Sequence, residues 1–483
     1  MRAGRHRNGP AEAQPVTAKV VVAGAGISGL SAAWDLLRAG ADVHVLEPID
    51  RAGGVIGSWK VGGYHFENGP NAIQGRAPAI RTLCLDVGMG DQIIDADEEF
   101  RERYLYYKGG LRALPRTLGG FMRSRLFTRP QKLRALLEPC VRKSGSDHEE
   151  TVAEFFGRRV GRGVTMSWVD VVVSGVFAGN PNRLGIRSAF PELAQMEREH
   201  GSILKAMRSR ATDRLRDDGS TGTSPLWSLQ GGMSSLTDRL AEQLGDRIHY
   251  GRKLAKVSRS ANGGLRLVAE GPDGTEEIDA HRLILAVGAP TAGILVGPLA
   301  PDVADLLFEV EYSPLVVAQA GFDKGAVPGL PAGFGYLIPR CMRMRTLGWT
   351  FASQLFPQRA PEGKVSLSGF VGGNLDPHAI ELAEELIEHL LMGELALALG
   401  QRKLPHPEVF RVVRWPDRLP QYNVGHLRRM DAVRRLLEME VPEVVLAGNW
   451  INGISVDACV SRGREAAQEV LDALPGSSPE SVA

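Results

Sequence analysis

The sequence KVVVAGAGISG, from Lys19 to Gly29, carries the strongest structural signal in this chain. Its first half is a short β-branched run, which is typical of a buried strand. Its second half has the GxGxxG spacing, in which the first glycine permits a tight turn, the second lets the backbone approach a pyrophosphate, and the third lets a helix pack on the strand. Apolar residues at helical spacing then predict a helix over 28–39, ended by Gly40. The order of strand, glycine turn and helix predicts a dinucleotide-binding unit.

A second strand completes this unit. Residues 42–46 read as a strand with Glu47 at its end, so the whole βαβ unit spans about thirty residues, the size expected for such a crossover. An acid at this place is expected to hydrogen-bond the ribose hydroxyls of an adenosine, while the helix N-terminus offers N–H groups to phosphates. The alternative is an ordinary βα turn with a surface glutamate.

Further motifs favour FAD over NAD. Arg51 and Gly54 belong to a Glu-x-x-x-Arg-x-Gly-Gly arrangement whose glycines let the chain run close to an extended ligand, and residues 65–71 form a polar turn placed to meet an isoalloxazine ring. Near the other end, Gly448 precedes a second glycine-rich turn and a helix predicted over 457–474. A helix dipole near the N1–C2 edge would stabilise the negative charge of reduced flavin. We therefore expect non-covalently bound FAD.

Composition narrows the remaining classes. The chain has 483 residues, 43% of them apolar, so we expect two or three lobes. A net charge of +1 gives the whole chain no electrostatic reason to bind nucleic acid. Four cysteines (Cys84, Cys140, Cys341 and Cys459) lie far apart without a CxxC pair, which argues against a metal site and a disulfide framework and fits a reducing cytoplasm. No apolar run is long enough to predict a membrane-spanning helix.

The predicted fold class is α/β (α+β multidomain), built on a discontinuous Rossmann-type FAD domain. Apolar runs at 282–287 and 443–447 look like later strands of its parallel sheet, since such a sheet can collect strands that are distant in sequence. The predicted segments are a disordered tail (1–17), the FAD domain in three parts (18–94, 208–297 and 420–474), a helical lobe (95–207), a mixed-sheet substrate domain (298–419) and a second tail (475–483).

Motifs outside the glycine turns extend this picture. Among them are Arg103-Tyr104-Leu105-Tyr106, SGVFAGNP at 174–181, FGYLIP at 334–339, FPQRAP at 356–361 and PQYNVGH at 420–426. With these motifs, the chain from 19 to 474 resembles the protoporphyrinogen oxidase family of amine-oxidase-like flavoproteins. The resemblance implies a helical lobe that contacts a membrane. It also implies FAD- and oxygen-dependent oxidation of protoporphyrinogen IX, a tetrapyrrole, to protoporphyrin IX.

The motifs and the resemblance together give the candidate site residues. FAD is expected at Gly24, Ala25, Gly26, Ile27, Ser28, Gly29, Glu47, Pro48, Arg51, Gly54, Gly69, Pro70, Asn71, Ala72, Leu254, Trp415, Gly448, Ile454, Ser455 and Val456. The resemblance implies that Arg103 holds a substrate propionate, that Phe370 packs on a pyrrole ring, and that Gly175, Leu337 and Thr350 line the pocket. A surface charge at Arg103 and a plain core residue at Phe370 are the alternatives. We assign no catalytic acid or base and no metal ligand.

Departures from the family pattern leave the substrate open. Thr350 stands where many members have Leu or Ile, and Ser455, Asp457 and Ala458 replace commoner residues of the C-terminal motif. Coproporphyrinogen III, with four carboxylates instead of two, is the closest alternative substrate. A specialised-metabolism oxidase and a non-catalytic FAD-binding scaffold are further alternatives.

The segment Arg112–Lys143 predicts contact with a membrane surface. It carries one acid, Glu138, and nine basic residues: Arg112, Arg116, Arg123, Arg125, Arg129, Lys132, Arg134, Arg142 and Lys143. Between them lie apolar residues that we expect to insert shallowly among the lipids, above all Phe121 and Phe127. These residues are Leu118, Phe121, Met122, Leu126, Phe127, Leu133, Leu136 and Leu137. The alternative is a solvated basic helix whose apolar side faces the protein core. We expect a cytoplasmic protein with peripheral membrane contact, and a homodimer stays open.

Overall fold

The computed structural model describes residues 18–474 except 101, 116, 146–147, 210–225 and 262. The two predicted tails, 1–17 and 475–483, lie outside the described residues, as does Arg116 of the basic segment.

A five-stranded parallel sheet forms the centre of the cofactor domain. Its strands, in spatial order, are Ile248–Tyr250, Asp42–Glu47, Lys19–Ala23, Arg282–Leu285 and Val444–Leu446. Valines 20–22 of the central strand are fully buried, because helices cover both faces of the sheet, as is usual for parallel sheets. The predicted α/β class and the βαβ unit are confirmed, and the predicted helices lie within two residues of the observed Ile27–Arg38 and Val456–Asp472.

Further elements surround this sheet. The helices are Pro78–Asp86, Ser234–Leu244, Ala289–Val296, Pro301–Phe308 and His426–Glu440. One three-stranded antiparallel sheet consists of Lys253–Arg259, Leu265–Gly271 and Gly274–Ala280. A second three-stranded antiparallel sheet consists of Ile73–Gln74, Leu226–Leu229 and Ile93–Asp95. The strands Ser58–Val61 and Tyr64–Glu67 form a hairpin.

A seven-stranded mixed sheet forms the second domain. Its strands, in spatial order, are Val409–Pro420, Tyr312–Asp323, Lys364–Gly372, Thr346–Thr350, Gly335–Leu337, Arg103–Tyr106 and Leu111–Ala113. One face, with Val316, Phe322 and Trp349, packs on the helix Glu384–Ala398. The opposite face carries the alternate side chains, because successive strand residues point to opposite sides.

This sheet corrects one sequence expectation. The segment 95–207 was expected to be helical, yet Arg103–Tyr106 and Leu111–Ala113 are strands of the seven-stranded sheet. Arg103–Tyr106 pairs in parallel with Gly335–Leu337, more than two hundred positions away. A run of four residues is too short for its hydrophobic pattern to predict a strand. This strand forms because it pairs with a segment that is distant in the sequence. The residue bounds of the domains stay a prediction.

The remaining helices form a lobe beside this sheet. They are Leu118–Arg123, Arg129–Leu136, Val152–Val160, Arg162–Val164, Asp170–Phe177, Ile186–Ala189 and Pro191–His200, with a π-helical turn at Thr165–Val169. Arg159 is fully buried in the lobe, where it forms ion pairs with Glu138 and Glu197. Among the described residues, no helix is both long enough and apolar enough to cross a bilayer.

Candidate functional site

The glycine turn after the first strand is shaped as the GxGxxG pattern predicts. Gly24 has a φ of +102°, which glycine adopts without steric cost, and its N–H donates to the Leu46 carbonyl over 2.8 Å. A Cβ added to Gly29 would lie 2.0 Å from the Gly24 oxygen, whereas a Cβ on Gly26 would meet no protein atom within 4 Å. Gly29 is thus required for packing, and Gly26 borders open space at the start of the helix Ile27–Arg38, where Ile27 and Ser28 are buried.

Glu47 lies directly beside this turn. Its carboxylate accepts hydrogen bonds from the N–H groups of Ala25, at 2.7 Å, and Ile49, at 3.2 Å, and the side chain is 7% exposed. The exposed Pro48 follows it. The N–H of Arg252 donates to the Glu47 carbonyl over 3.0 Å, which brings the chain leading to the buried Leu254 to the same end of the sheet.

The arginine–glycine motif covers the glycine turn. Arg51 donates through Nη2 to the Gly54 carbonyl over 2.7 Å and through Nη1 to the Ile56 carbonyl over 3.0 Å. The Gly53 N–H donates to the Ala25 carbonyl over 2.8 Å. Gly54 has a φ of +60°, and a Cβ there would come within 3.3 Å of Gly26 Cα. The motif therefore packs its backbone against the Gly26 opening.

The polar turn that follows is fixed to the second domain. Trp415 donates through Nε1 to the Asn68 carbonyl over 2.8 Å, and Gln319 donates through Nε2 to the Glu67 carbonyl over 2.6 Å. A Cβ on Gly69 would lie 2.5 Å from the Val55 oxygen. Pro70 and Ala72, half-buried, flank Asn71, whose carbonyl accepts from Ser228 Oγ over 3.3 Å. Residues 67–72 therefore form a turn held from both domains, which we call the flavin turn.

A buried charged network supports the flavin turn. Arg359, Glu67 and His65 are 1%, 2% and 4% exposed. Arg359 forms an ion pair with Glu67, lies 3.0 Å through Nη1 from His65 Nε2, and donates through Nη2 to Ser228 Oγ over 2.9 Å. Glu67 also accepts from the Met233 N–H over 3.0 Å. The motifs containing Glu67 and Arg359 were noted in the sequence, but nothing local indicated that they form one network.

The C-terminal glycine turn lies at the start of the helix Val456–Asp472. Gly448 has a φ of +139°, and Ile454 precedes the helix half-buried. The departures from the family pattern have structural explanations. Ser455 caps the helix by accepting from the Ala458 N–H over 3.1 Å, and Asp457 accepts from the Ile80 N–H over 3.0 Å. A Cβ on Gly453 would lie 2.7 Å from Ala458 Cβ, so a small residue fits at 458.

Two aromatic rings brace this C-terminal turn. His426 is fully buried and stacks on Tyr422, with ring centroids 4.3 Å apart. The Tyr422 hydroxyl donates to the Asn449 carbonyl over 2.5 Å. Burial lowers the pKa of His426 to about 4. His65, in the charged network behind the flavin turn, has a pKa of about 3: burial lowers it most, and the positive charge of Arg359 lowers it further. Both histidines are therefore neutral in the folded protein near neutral pH.

We expect acid to destabilise the fold through these two histidines. In the unfolded chain they titrate near their ordinary value of 6.5, so below that pH the unfolded state binds protons that the folded state excludes. Each histidine should then lower the free energy of unfolding by about 1.4 kcal/mol per pH unit, down to its folded pKa. Urea unfolding between pH 7 and pH 5 measures this slope. His426→Phe keeps the ring stack and should flatten the slope, and an unchanged slope would contradict the assignment.

Four of the five predicted substrate residues lie on one face of the seven-stranded sheet, and the fifth, Gly175, lies on a helix that covers this face. Strand register aligns Arg103, Gly335 and Thr350 in one row, and Leu337, Gly348 and Phe370 in a neighbouring row on the same face. The helix Asp170–Phe177 covers this face, since a Cβ on Gly175 would lie 2.9 Å from Leu337 Cδ1. We call this face the substrate wall.

The substrate wall faces the cofactor domain. Phe370 pairs with Val317, and along the same face Gln319 contacts the flavin turn through its amide, as Trp415 does through its indole N–H. Arg103 is exposed near the edge of the wall, with its guanidinium 5.0 Å from the centroid of the Phe334 ring. The flavin turn and the candidate substrate residues therefore meet at one interface.

Sequence reasoning missed a polar feature of the wall. The hydroxyl oxygens of Thr350 and of Ser368, its partner on the next strand, are buried and accept or donate no hydrogen bond within the described part of the chain. A buried hydroxyl without a partner costs about 1–3 kcal/mol. Ser368 gave no signal in the sequence, because its position opposite Thr350 depends on strand register.

The space beside Gly26, Glu47 and Arg51, which we call the cofactor cleft, has features that suit FAD. Gly26 and the helix N-terminus leave open space where N–H groups can meet phosphates. The pKa of Arg411 is lowered, mainly by burial and then by the positive charge of the neighbouring Arg51. The Arg411 guanidinium lies 4.5 Å from the centroid of the Trp59 ring. Two neighbouring cations suit a diphosphate. Arg51, Glu47 and the glycine turns would hold FAD, which supplies hydride acceptance when bound.

Comparison with known proteins agrees with this site. The profile of the flavin containing amine oxidoreductase family matches residues 27–471. The chain is 31% identical to the chloroplastic protoporphyrinogen oxidase of Nicotiana tabacum, over 94% of this chain and 85% of that one. It is 27% identical to the coproporphyrinogen III oxidase of Bacillus subtilis, over 94% of this chain and 98% of that one.

A solved structure shares the fold. A crystal structure from Exiguobacterium sp. 255-15 superposes with a TM-score of 0.80 at 23% identity, covering 94% of this chain and 98% of that chain. This likeness concerns the fold alone. The family profile over residues 27–471 and the Nicotiana tabacum relative, at 31% identity over 94% of this chain, are enough to show the family. The chain therefore belongs to the FAD-binding flavin containing amine oxidoreductases, in the group that includes the protoporphyrinogen oxidases.

Proposed function

We propose that the protein oxidises protoporphyrinogen IX to protoporphyrin IX, a six-electron oxidation in porphyrin biosynthesis with molecular oxygen as the final acceptor. The observation that carries this proposal is the interface between the flavin turn and the substrate wall, where Arg103, Leu337, Thr350 and Phe370 share one face. The names of the curated relatives support a porphyrinogen as the substrate class.

The wall residues suit a flat, partly apolar macrocycle with acidic edges. Phe370 and Leu337 offer apolar surface to pyrrole rings, and Arg103 at the exposed edge offers a guanidinium to a propionate. The unpaired hydroxyls of Thr350 and Ser368 can accept hydrogen bonds from pyrrole N–H groups. The wall's tasks are thus orientation and exclusion of water, while the cofactor does the redox chemistry. We assign no residue as a catalytic base.

A comparison of the two candidate substrates tests the proposal. The purified protein should oxidise protoporphyrinogen IX in air to the fluorescent porphyrin, with formation of hydrogen peroxide, and with a higher kcat/KM than for coproporphyrinogen III. A strong preference for coproporphyrinogen III would replace the proposed substrate. Turnover of neither would favour a specialised oxidase or a non-catalytic scaffold, and turnover without peroxide would exclude oxygen as the direct acceptor.

Arg103→Ala should raise KM and lower kcat/KM by roughly ten- to a hundredfold, the loss of about 1.5–3 kcal/mol from a charge-assisted hydrogen bond. FAD content should not change, because Arg103 lies on the substrate wall and outside the cofactor cleft. Steady-state kinetics and flavin absorbance measure both quantities. Arg435→Ala, an exposed arginine on the helix His426–Glu440 and outside the substrate wall, is the matched control. An unchanged KM in Arg103→Ala would make it a surface charge.

We propose further that the helical lobe contacts a membrane surface. Met122, Leu133 and Leu137 are 45%, 61% and 49% exposed, and exposed basic residues lie among them. The expectation for Phe127 is wrong, because this ring is only 6% exposed in a small core under the lobe. Phe121 is half-buried and packs against the Phe127 ring. Leu133 and Leu137 are therefore the side chains suited to shallow insertion. A homodimer and a cytoplasmic location stay predictions.

A further inference from the structure

A concave pocket in the helical lobe is lined by a cluster of basic side chains together with Tyr107, Leu126 and Phe127. It has a volume of about 390 Å³ and lies between the end of the strand Arg103–Tyr106 and the segment 123–132. Five of its lining residues are basic: Lys108, Arg123, Arg125, Arg129 and Lys132. None of its lining residues is acidic. A volume above about 300 Å³ is enough for a small ligand.

Lys132 gives this pocket a fixed positive charge. Its side chain is 9% exposed, and its Nζ donates to the carbonyls of Met122 over 2.7 Å and Ser124 over 2.6 Å. An ammonium group has three N–H donors, so one is left for a ligand. Within the described part of the chain no carboxylate pairs with Lys132, so its charge is open to an anion in the pocket.

The other cations of the pocket are not neutralised either. Arg123, Arg125 and Arg129 are exposed and form no ion pair with a carboxylate among the residues that the structure describes. The one acid of the basic segment, Glu138, is fully buried and used by Arg159 and Ser202. In addition, the helix Arg129–Leu136 begins at the pocket with Thr128 as its N-cap, and its dipole adds positive potential there.

Exposed apolar residues that adjoin pocket residues in the sequence indicate which anion the pocket meets. Met122 and Leu133 each neighbour a pocket cation in sequence, and both are exposed. A free anion would need only the cations, whereas a lipid presents a phosphate above an apolar chain. We propose that this pocket binds the phosphate group of an anionic lipid headgroup. The inference rests on the proposed membrane contact of the lobe.

Vesicle sedimentation at matched surface charge tests the pocket separately from the membrane contact. One vesicle contains phosphatidylcholine with phosphatidic acid, whose phosphomonoester is exposed; the other contains phosphatidylcholine with phosphatidylserine, whose phosphate is shielded. We expect the holoprotein to bind both and to prefer phosphatidic acid about tenfold, the effect of one charge-assisted hydrogen bond. Lys132→Met and Arg125→Gln should abolish the preference. Arg112→Gln removes the same charge outside the pocket and should weaken binding to both vesicles equally.

Each outcome decides between the two proposals. Equal binding to both vesicles by the unmodified protein would overturn the pocket and keep the membrane contact, whereas binding to neither would overturn the membrane contact and the pocket with it. If Lys132→Met loses its flavin and fails to fold, Arg125→Gln decides alone, and a retained preference in that variant would overturn the pocket. Inorganic phosphate that raises the Tm of the unmodified protein, without any preference for phosphatidic acid, would mean that a free phosphate is the ligand and that the lipid assignment is wrong.

Discussion

Gly26→Val should give a folded protein that contains no FAD. The backbone of Gly26 is extended, with φ at −70° and ψ at 170°, which valine adopts readily. A Cβ there would meet no protein atom within 4 Å, so the new side chain should not disturb the packing of the apoprotein. It would instead occupy the space through which a diphosphate approaches the helix N-terminus. Flavin absorbance and the FAD released by acid measure occupancy, and circular dichroism measures the fold.

Gly29→Ala is the contrasting variant in the same motif. Its Cβ would lie 2.0 Å from the Gly24 oxygen, so this substitution should damage the packing of helix on strand and lower the Tm. The two variants separate a glycine needed by the ligand from one needed by the fold. Full FAD occupancy in Gly26→Val would show that the glycine turn does not cradle the diphosphate.

The cofactor domain was readable from the sequence because its signals are local. The strand Lys19–Ala23, the glycine turn and the helix Ile27–Arg38 lie within twenty residues, and Gly24 and Gly29 have steric reasons for their positions. Glu47 lies directly beside that turn, bonded to Ala25. Here periodicity and turn chemistry agree with the tertiary structure, so prediction succeeds.

The substrate wall was readable only through the family resemblance. Arg103, Thr350 and Phe370 come together through pairing between strands that are far apart in the chain, and a one-residue change in register would point each of them to the opposite face. The same limit explains the error at Phe121 and Phe127. In the sequence both lie between basic residues, and only the packing of the lobe shows that Phe127 is buried and that Phe121 is partly buried.

The buried network behind the flavin turn lies furthest from what a sequence can show. Arg359 and Glu67 are 292 positions apart, and each alone would be interpreted as a surface charge. In the fold, this ion pair joins the strand Tyr64–Glu67 to the segment after the strand Thr346–Thr350, and Arg359 also donates to Ser228. The position of the flavin turn therefore depends on an ion pair that is removed from water, and this makes the network a sensitive point of the structure.

Arg359→Met should destabilise the protein by about 3–5 kcal/mol, because it leaves the Glu67 carboxylate buried without its cation. Urea unfolding of the apoprotein and flavin occupancy measure the two consequences, and both should fall together since Glu67 lies in the flavin turn. Arg429→Met is the matched control: Arg429 pairs with Glu309, which is 59% exposed, so solvent screening should limit its loss to about 1 kcal/mol at most.

The double variant Arg359→Met with Glu67→Gln separates charge from packing. Glutamine removes the uncompensated carboxylate and can still accept from the Met233 N–H, so it should restore part of the lost stability. No rescue would attribute the loss to the volume and hydrogen bonds of the arginine side chain. If Arg359→Met costs no more than Arg429→Met, the buried pair does not hold the turn, and the position of the flavin turn must depend on Gln319 and Trp415 from the substrate wall.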